Sequence, residues 1–315
     1  MSANWRRVQN SGCTKREFLA LALTACAADG KPSLNAGHID AHVHVWTPDK
    51  KRYPWDSRYA EPAADPVSFT PEQLLKYTQP VGVSRIVLIQ MSFYGTDNSY
   101  MLDAMSKYPS TFSGVAVVDE RSAAVKHEML RLMGHGVRGF RITPSTDQKG
   151  WLETDGMFAM WKCGAEQRLA MCCLIGADAI PSVDRMSARL PETPVVIDHL
   201  ARIGVDGTVR DADVRALCDL SRHRNVYVKV SAFYALGRKH YPYTDLGPMI
   251  RRVFESFGPQ RLMWASDAPF QIQKPYTYSG SLALVRDRLD FLNSHDREWL
   301  LGKTAEQLFF ADRRF

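Results

Sequence analysis

Three histidines and an aspartate lie within HIDAHVHVW, residues 38–46. His42 and His44 are separated by one residue in a run that is typical of a β-strand, and alternation along a strand places both side chains on the same face. His38 and Asp40 share that parity and lie earlier in the run. Imidazoles bind metal ions and take part in proton transfer. The spacing therefore predicts that one strand presents two imidazoles to one ligand.

Other polar residues stand near the ends of short apolar runs. His199 lies near the end of TPVVIDHL (193–200), and Asp267 ends QRLMWASD (260–267). Further candidates at such ends are Gln90, Arg141, Lys229 and Ser231. Taken alone, a histidine is more often structural, and Asp267 could simply form the turn in Ser-Asp-Ala-Pro. The joint placement of His-x-His, His199 and Asp267 favours a functional site over these separate structural roles.

Eight apolar runs recur along the chain and alternate with helical patterns. The runs span residues 38–45, 84–91, 112–119, 137–143, 169–176, 193–200, 225–232 and 260–267. Several are continuously apolar, which is typical of parallel strands covered on both faces. Eight strand–helix units predict an α/β fold, a (β/α)₈ TIM barrel in a single domain over residues 31–315. Because active sites of such barrels lie at the C-terminal ends of the strands, the candidate residues would meet at one mouth.

An open, doubly wound sheet is the alternative architecture. The first strand is not followed by Gly-x-Gly-x-x-Gly, so a dinucleotide-binding version of that fold is not supported. The chain has 315 residues and a net charge of +6, without a Lys/Arg block interleaved with aromatic residues. Nucleic acid is therefore not an expected partner. We expect no transmembrane segment, because no apolar run approaches roughly 18 residues, and the oligomeric state is left open.

The first 30 residues have the composition of an export signal. TKREFLALALTACAA (14–28) places basic residues before a short apolar stretch and then small residues. The stretch 14–19 resembles a twin-arginine signal in which Lys15 replaces the first arginine. Residues 23–26 resemble a bacterial lipoprotein cleavage box, with Cys26 as the lipid-anchored residue. One interpretation is export, to the periplasm or as a lipoprotein. The alternative is an unstructured leader or a wrongly assigned start of the chain, and a cytoplasmic location is then the alternative to export.

The segment after the first strand is long and rich in Trp, Tyr and Pro. It reads WTPDKKRYPWDSRYAEPAADPVSF, residues 46–69. Long loops at the mouth of a barrel often serve as lids or specificity walls. Trp46, Tyr53 and Trp55 could therefore offer flat surfaces to a sugar ring. The alternative is that these aromatic residues only pack the loop onto the barrel.

These motifs resemble those of the amidohydrolase superfamily. Five segments carry the resemblance. They are the opening HIDAHVHVW…RYPW, the sixth strand VVIDHLARIG, the seventh VYVKVSAF, the eighth RLMWASDAPF and the closing helix LGKTAEQLF. They are most similar to the branch that contains L-fuconolactonases, L-rhamnonolactonases and 2-pyrone-4,6-dicarboxylate lactonases. The resemblance covers residues 38–310. The motifs of the first and eighth strands are specific to the superfamily and do not specify the substrate.

One departure from the superfamily pattern concerns metal. Metal-dependent members carry a histidine at the end of the fifth strand, where this chain reads MCCLIGAD. The fourth strand offers Arg141 instead of a bridging lysine or glutamate. The resemblance therefore implies either that no cofactor is required or that one divalent metal ion, zinc or manganese, binds weakly to His42, His44 and Asp267.

The resemblance implies a hydrolase that opens a small-molecule lactone or sugar-acid lactone. Asp267 would act as the general base for the attacking water, and His42, His44 and His199 would polarise the carbonyl. The expected substrate-binding residues are Gln90, Arg141, Lys229 and Trp46, with the two cations binding a carboxylate or hydroxyls. A metal-dependent amidohydrolase or decarboxylase of the same superfamily is one alternative. A non-catalytic sugar-acid binding protein is the second.

Overall fold

The computed structural model describes residues 37–58, 65–144 and 150–311. Eight strands, β1 to β8, form one sheet in which each strand pairs in parallel with the next along the chain. The strands span His38–Val43, Val83–Ile89, Phe112–Ala116, Val137–Ile142, Ala170–Cys173, Val195–Ile197, Val226–Ser231 and Leu262–Ala265. This order confirms the predicted (β/α)₈ barrel and excludes the open doubly wound sheet.

The strands are shorter than the apolar runs that predicted them, mostly at their C-terminal ends. The sixth run was expected over 193–200, whereas β6 ends at Ile197; the eighth was expected to 267, whereas β8 ends at Ala265. The residues after these strands are also buried, so burial continues beyond the last ladder hydrogen bond. His199 and Asp267 therefore lie just past their strands, in the loops at the barrel mouth.

The barrel closes where β1 meets the end of β8, and we call residues 40–44 and 265–268 the β1–β8 seam. The Asp267 backbone N–H donates to the His42 carbonyl at 2.9 Å, and the His44 N–H donates to the Ala268 carbonyl at 2.9 Å. A side chain joins this seam, because Asp40 Oδ1 accepts from the Ser266 N–H at 2.9 Å. Backbone hydrogen bonds thus link the strand that carries the two histidines to the segment that carries Asp267.

The face of β1 departs from the predicted alternation. Ile39 and Ala41 belong to the apolar cluster inside the barrel, whereas the Asp40 carboxylate accepts a hydrogen bond from the Tyr278 hydroxyl at 2.7 Å. The register of β1 against β2 shifts between Asp40 and Val43. His42 therefore faces the interior although Asp40 does not, and the expectation that the two share a face was wrong. A β-bulge breaks strict alternation in this way.

Ten α-helices in the described residues follow or connect the strands, and the main ones coincide with the predicted helical patterns. Helices α1 to α10 span Pro71–Thr78, Ser99–Lys107, Val125–Gly134, Asp155–Gln167, Ile180–Arg189, Asp211–Asp219, Gly247–Phe257, Tyr278–Ala283, Ser294–Glu298 and Thr304–Phe309. Threonine hydroxyls cap α1, α4 and α8 by accepting a backbone N–H, which satisfies a donor that the helix leaves free.

Two apolar layers hold these elements in place. A large cluster packs the outer faces of the strands against the helices. A smaller one fills the barrel interior and includes Val87, Cys172, Met263 and, from α10, Phe309. Side chains thus fill the barrel below its mouth, as expected for this fold, and space for a ligand remains above them.

The predicted leader, residues 1–30 with the possible lipid anchor Cys26, lies outside the described residues and stays a prediction. The same holds for the boundary at Lys31. Within the part of the chain that the structure describes, we find no helix that combines the length and the apolar character needed to cross a bilayer.

Candidate active site

A pocket of about 280 Å³ opens at the C-terminal ends of the strands. Its polar lining consists of His44, Arg141, His199, Arg202, Tyr234 and Asp267. Its apolar lining includes Leu174, Val205, Leu236 and Phe270. The pocket therefore places a carboxylate, two imidazoles and two guanidinium groups around one volume.

An unusual backbone turn carries His199 and Arg202 to this pocket. After β6, the four consecutive residues from His199 to Arg202 have positive φ angles between 52° and 54°. Asp267 also has a positive φ, 65°. Such conformations are costly for residues other than glycine and concentrate at functional sites. The surrounding packing holds these side chains in positions that an ordinary strand–helix connection would not provide.

The Asp267 carboxylate lies beside three imidazoles. Its Oδ1 is 3.5 Å from His42 Nε2 and 3.5 Å from His44 Nε2, while Oδ2 is 3.9 Å from His199 Nε2. Oδ2 also accepts a hydrogen bond of 2.7 Å from the Tyr234 hydroxyl. Burial would raise the pKa of Asp267, but His199 and the hydrogen bond with His44 outweigh it and hold the pKa below its ordinary value. Asp267 is therefore an anion at neutral pH.

The histidines differ in their surroundings. Burial lowers the pKa of His42 well below its ordinary value, and Lys229 lowers it further. Burial also lowers the pKa of His199, so both rings are neutral at pH 7. His44 Nδ1 contacts the Ile89 carbonyl at 2.9 Å, and His199 Nδ1 contacts Ser231 Oγ at 2.9 Å. These contacts leave the Nε2 atoms of His44 and His199 on the side of Asp267.

The spacing of three of these groups fits a divalent cation. His42 Nε2, His44 Nε2 and Asp267 Oδ1 form a triangle with edges of 3.2, 3.5 and 3.5 Å. Ligands of a tetrahedral zinc ion, each about 2.0–2.2 Å from the metal, lie about 3.4 Å from one another. These three side chains are one of two groups in the described residues that could hold a metal ion, the other being His42, Asp198 and His199.

A buried ion pair lies behind His42. Lys229 and Asp198 are both fully buried, with Lys229 Nζ 3.0 Å from Asp198 Oδ1. The same Nζ is 3.2 Å from His42 Nδ1. Burial alone would raise the pKa of Asp198, but the Lys229 ammonium and His42 hold it well below its ordinary value. A charged lysine, a carboxylate and a neutral imidazole are thus in contact beneath the pocket.

The structure brings five of the predicted site residues together, namely His42, His44, Arg141, His199 and Asp267. The other four make polar contacts within the protein, and Ser231 is the one that contacts His199. Lys229 faces Asp198 and His42, and the Gln90 amide donates to the carbonyls of Gly95 and Asp97 at 3.4 and 2.6 Å. The indole N–H of Trp46, which is 1% exposed, donates to the Pro66 carbonyl.

The aromatic residues of the long loop pack against one another. Trp55 stacks on Phe93 with ring centroids 4.4 Å apart, and Trp46 lies edge-on to the same ring at 5.7 Å. The Tyr53 hydroxyl donates to Asp103 at 2.5 Å. Of the two interpretations of these residues, the geometry favours the packing of the loop.

Sequence reasoning did not single out Asp198, Arg202 and Tyr234. A signal was available for Asp198, because a carboxylate inside the apolar run TPVVIDHL needs a buried partner. Arg202 and Tyr234 lie in irregular turns after β6 and β7. No periodicity marks such positions, so the sequence offered no comparable signal for them.

Comparisons with known proteins show which proteins this chain is similar to. The chain is 26% identical to L-fucono-1,5-lactonase of Burkholderia ambifaria over 87% of this chain and 96% of that protein. It is 30% identical to 2-pyrone-4,6-dicarboxylate hydrolase of Comamonas testosteroni over 75% of this chain and 78% of that protein. An amidohydrolase of Burkholderia multivorans solved with bound zinc superposes with a TM-score of 0.73 at 20% identity, over 87% of this chain and 99% of that chain, and shows the shared fold.

The names of these relatives agree with the predicted enzyme class, a hydrolase that acts on cyclic esters. The family model described as Amidohydrolase matches residues 39–311. The match begins at the second residue of β1 and ends two residues after α10. This match spans the whole barrel and confirms the predicted superfamily. The chain belongs to the amidohydrolase family.

Proposed function

We propose that this protein hydrolyses a lactone. The observation that carries the proposal is the Asp267 carboxylate, buried and ionised in the pocket lining, with His42, His44 and His199 facing it. A lactone is an ester, so its hydrolysis needs a base for the water and donors for the developing oxyanion. The relatives named as lactone hydrolases support the substrate class.

In the proposed reaction a water molecule attacks the lactone carbonyl carbon while Asp267 takes one of its protons. The ring C–O bond then breaks, and the leaving alkoxide takes the proton back from Asp267. The products are one hydroxyl group and one carboxylic acid on the same molecule, and the acid then releases the second proton of the water to solvent and becomes a carboxylate. Asp267 thus serves first as general base and then as general acid.

In this proposal the neighbours of Asp267 have two roles, which are to orient its carboxylate and to polarise the substrate carbonyl. The Tyr234 hydroxyl donates to Oδ2 and so directs Oδ1 at the water. We assign carbonyl polarisation to the imidazoles: His199 lines the pocket directly, and His42 and His44 act together beside Oδ1. Backbone hydrogen bonds across the β1–β8 seam keep these groups aligned, which is the preorganisation that catalysis requires.

The two arginines of the pocket favour a substrate with a carboxylate. Arg141, near the end of β4, and Arg202, after β6, both line the pocket. Neither forms an ion pair with another residue in the described ranges, whereas most other arginines in those ranges do. A planar guanidinium binds a carboxylate with two parallel hydrogen bonds. We therefore propose that the substrate is an acidic lactone whose carboxylate binds Arg141 and Arg202. We propose no substrate contact for Lys229, Gln90 or Trp46.

The proposal keeps the predicted metal site but does not require a metal ion for hydrolysis. His42, His44 and Asp267 would hold a divalent ion, which when bound would polarise the carbonyl or lower the pKa of water. We propose that such an ion binds weakly and that hydrolysis survives its removal. His44→Ala should then lower turnover equally in chelator-treated and untreated enzyme.

A direct test is a screen of lactones with a pH indicator, since ring opening releases an acid. The panel contains neutral aldonolactones and carboxylate-bearing pyrone or muconate lactones, each with and without exhaustive chelation. We expect turnover of at least one carboxylate-bearing lactone under both conditions. Binding of a sugar acid without any turnover would instead support the binding protein. Loss of activity on chelation, restored by zinc or manganese, would support the metal-dependent amidohydrolase or decarboxylase.

A further inference from the structure

A second cavity adjoins the pocket that contains Asp267, and we call it the outer chamber. Its volume is about 680 Å³, more than twice the 280 Å³ of the pocket. Leu174, Arg202 and Val205 line both cavities, so the two are continuous. The rest of the chamber is lined by residues 143–144 after β4, 176–178 after β5, 203–204 and 206 after β6, and 210 and 213 at the start of α6.

The combined size of the two cavities exceeds what a single lactone ring needs. Pockets for small-molecule ligands typically have volumes of about 300–1,000 Å³. The pocket beside Asp267, at about 280 Å³, lies just below this range. Together with the outer chamber it lies well inside the range. The space at the barrel mouth therefore fits a ligand that continues beyond the ring held at Asp267.

Hydrogen bonds fix the wall of the outer chamber after β6, although several of its residues are exposed. The Gly237 N–H donates to the Gly204 carbonyl at 2.9 Å and ties this wall to the loop after β7. The Asp206 carboxylate accepts from the Thr208 N–H at 3.0 Å and pairs with Arg210 at 2.6 Å. The chamber thus has a wall that is formed before any ligand binds, as is usual for small-molecule sites.

The lining of the outer chamber offers both hydrogen-bond acceptors and donors. Asp178 and Asp213 contribute carboxylates, and within the described residues we find no hydrogen bond or ion pair that occupies them. Arg202 and Arg210 contribute guanidinium groups, and Thr143 contributes a hydroxyl. A carboxylate only accepts and a guanidinium only donates, whereas a hydroxyl does both. Hydroxyl groups on a ligand can therefore pair with every one of these side chains.

This lining distinguishes between the substituents that a lactone can carry. A second carboxylate would lie beside the carboxylates of Asp178 and Asp213 and be repelled. A hydrocarbon chain would displace water from charged groups without replacing its hydrogen bonds. A hydroxylated ring supplies those hydrogen bonds and also presents C–H surfaces to Leu174, Ile203 and Val205, which line the same chamber.

We propose that the outer chamber binds a polyhydroxylated substituent about as large as a sugar ring, attached to the lactone whose ring lies beside Asp267. This inference rests on the proposed lactone hydrolysis and narrows its substrate class to lactones joined to a sugar-like group. Contacts remote from the reacting bond provide binding energy that an enzyme uses to orient the bond.

The binding of stable acids tests the inference without turnover. Gluconate is a single hydroxylated chain with one carboxylate, and lactobionate, maltobionate and cellobionate are the same unit joined to a sugar ring. Isothermal titration calorimetry measures the dissociation constant of each acid. We expect at least one of the three larger acids to bind about 10-fold or more tightly than gluconate, since one hydrogen bond to a charged group contributes about that factor. If none of the three binds more tightly than gluconate, the proposal is wrong.

A pair of double variants locates the preference in the outer chamber. Asp178→Ala/Asp213→Ala removes both acceptors, and Asp211→Ala/Asp219→Ala removes two exposed carboxylates of α6 that do not line the chamber. The two variants have the same change of net charge. The readout is the ratio of the dissociation constants of gluconate and the larger acid, because a general effect of charge acts on both acids.

We expect this ratio to fall about 10-fold in Asp178→Ala/Asp213→Ala and to stay unchanged in Asp211→Ala/Asp219→Ala. Circular dichroism and thermal melting confirm that each variant is folded. An unchanged ratio in the first variant, or an equal fall in both, would overturn the proposal.

The titrations and the lactone screen fail separately. Turnover of a lactone without any preference for the larger acids would retain the proposed function and overturn the inference about the outer chamber. A preference for the larger acids that depends on Asp178 and Asp213, without turnover of any lactone, would overturn the proposed hydrolysis. In that case the outer chamber would stand as a binding site for hydroxylated acids.

Discussion

At the scale of single residues, the two oxygens of Asp267 have different neighbours. Oδ2 accepts from Tyr234, while Oδ1 faces His42 and His44. The side chain is only 8% exposed, so a water held at Oδ1 would have few competing partners. This asymmetry is what a general base needs, because one oxygen is fixed and the other is directed at the substrate water.

We expect Asp267→Asn to abolish most of the hydrolysis while the barrel stays folded. The amide has nearly the same shape but cannot accept the proton, so loss of general-base help should lower the rate by roughly 10²–10⁴-fold. Steady-state kinetics on the lactone found in the screen measures this, with thermal melting as the test of folding. Asp290→Asn is the control, since that side chain is 86% exposed on the surface. Near-normal turnover of Asp267→Asn would show that the carboxylate only shapes its turn.

The arginines should determine which lactones bind. Removing Arg141 deletes a charged hydrogen-bond donor from the pocket, and such bonds contribute about 1.5–3 kcal/mol. We therefore expect Arg141→Met to raise KM for a carboxylate-bearing lactone about 10-fold or more and to change KM for a neutral aldonolactone much less. Arg251→Met on α7, whose guanidinium pairs with Asp290, should change neither. Equal losses for both substrates would argue against a carboxylate at Arg141.

At the scale of elements, the β1–β8 seam determines the geometry of the site. Asp40 accepts hydrogen bonds from the backbone N–H groups of His42 and Ser266 and from the Tyr278 hydroxyl, at 3.2, 2.9 and 2.7 Å. It is fully buried, and burial raises its pKa to about 6 against the effect of these hydrogen bonds. One carboxylate thus connects β1, the segment before Asp267 and α8.

We expect Asp40→Ala to destabilise the barrel strongly. It would leave three buried donors without their acceptor, and each unsatisfied group costs about 1–3 kcal/mol. The free energy of unfolding should fall by about 3 kcal/mol or more, and less in Asp40→Asn, whose amide oxygen still accepts. Chemical denaturation of both variants beside the surface control Asp290→Ala measures this. A change in Asp40→Ala as small as that of the control would mean that backbone pairing alone holds the seam.

At the scale of the whole molecule, the amidohydrolase match covers residues 39–311. The part of the chain that the structure describes contains eight strands and two apolar clusters, all within that match except the first residue of β1. Helix α10 contributes Phe309 to the cluster inside the barrel, so the C-terminal part of the chain is integral to the core. The leader composition of residues 1–30 predicts a separate role in targeting.

We therefore expect a chain that begins at Lys31 to fold and to keep full activity. It would keep every residue of the two apolar clusters described above. Its thermal midpoint should therefore match that of the full chain within about 2 °C, the lower end of the shift that 1 kcal/mol produces in a domain of this size. Differential scanning calorimetry and the lactone assay test both expectations. A clearly lower midpoint would show that the leader packs on the barrel and is not only a targeting signal.

The sequence by itself determined the architecture and the central residues of the site. Eight apolar runs that alternate with helical patterns admit few folds, and a barrel brings the ends of its strands to one mouth. Periodicity locates the ends of strands, so the sequence alone was enough to assign four residues to one site. These residues are His42, His44, His199 and Asp267. The family followed from the same motifs, and the match over residues 39–311 confirms it.

Only the tertiary structure decided which polar residues face the pocket and which face one another. The strand position of Lys229 predicted a substrate contact, whereas in the structure Lys229 pairs with Asp198 beneath the pocket. Arg202 and Tyr234 reach the pocket through turns that no periodic pattern encodes. The physical reason is that alternation assigns a face only within regular strands. Three features of this site depend on contacts between residues far apart in the chain. They are the bulge between Asp40 and Val43, the left-handed turn after β6 and the buried ion pair.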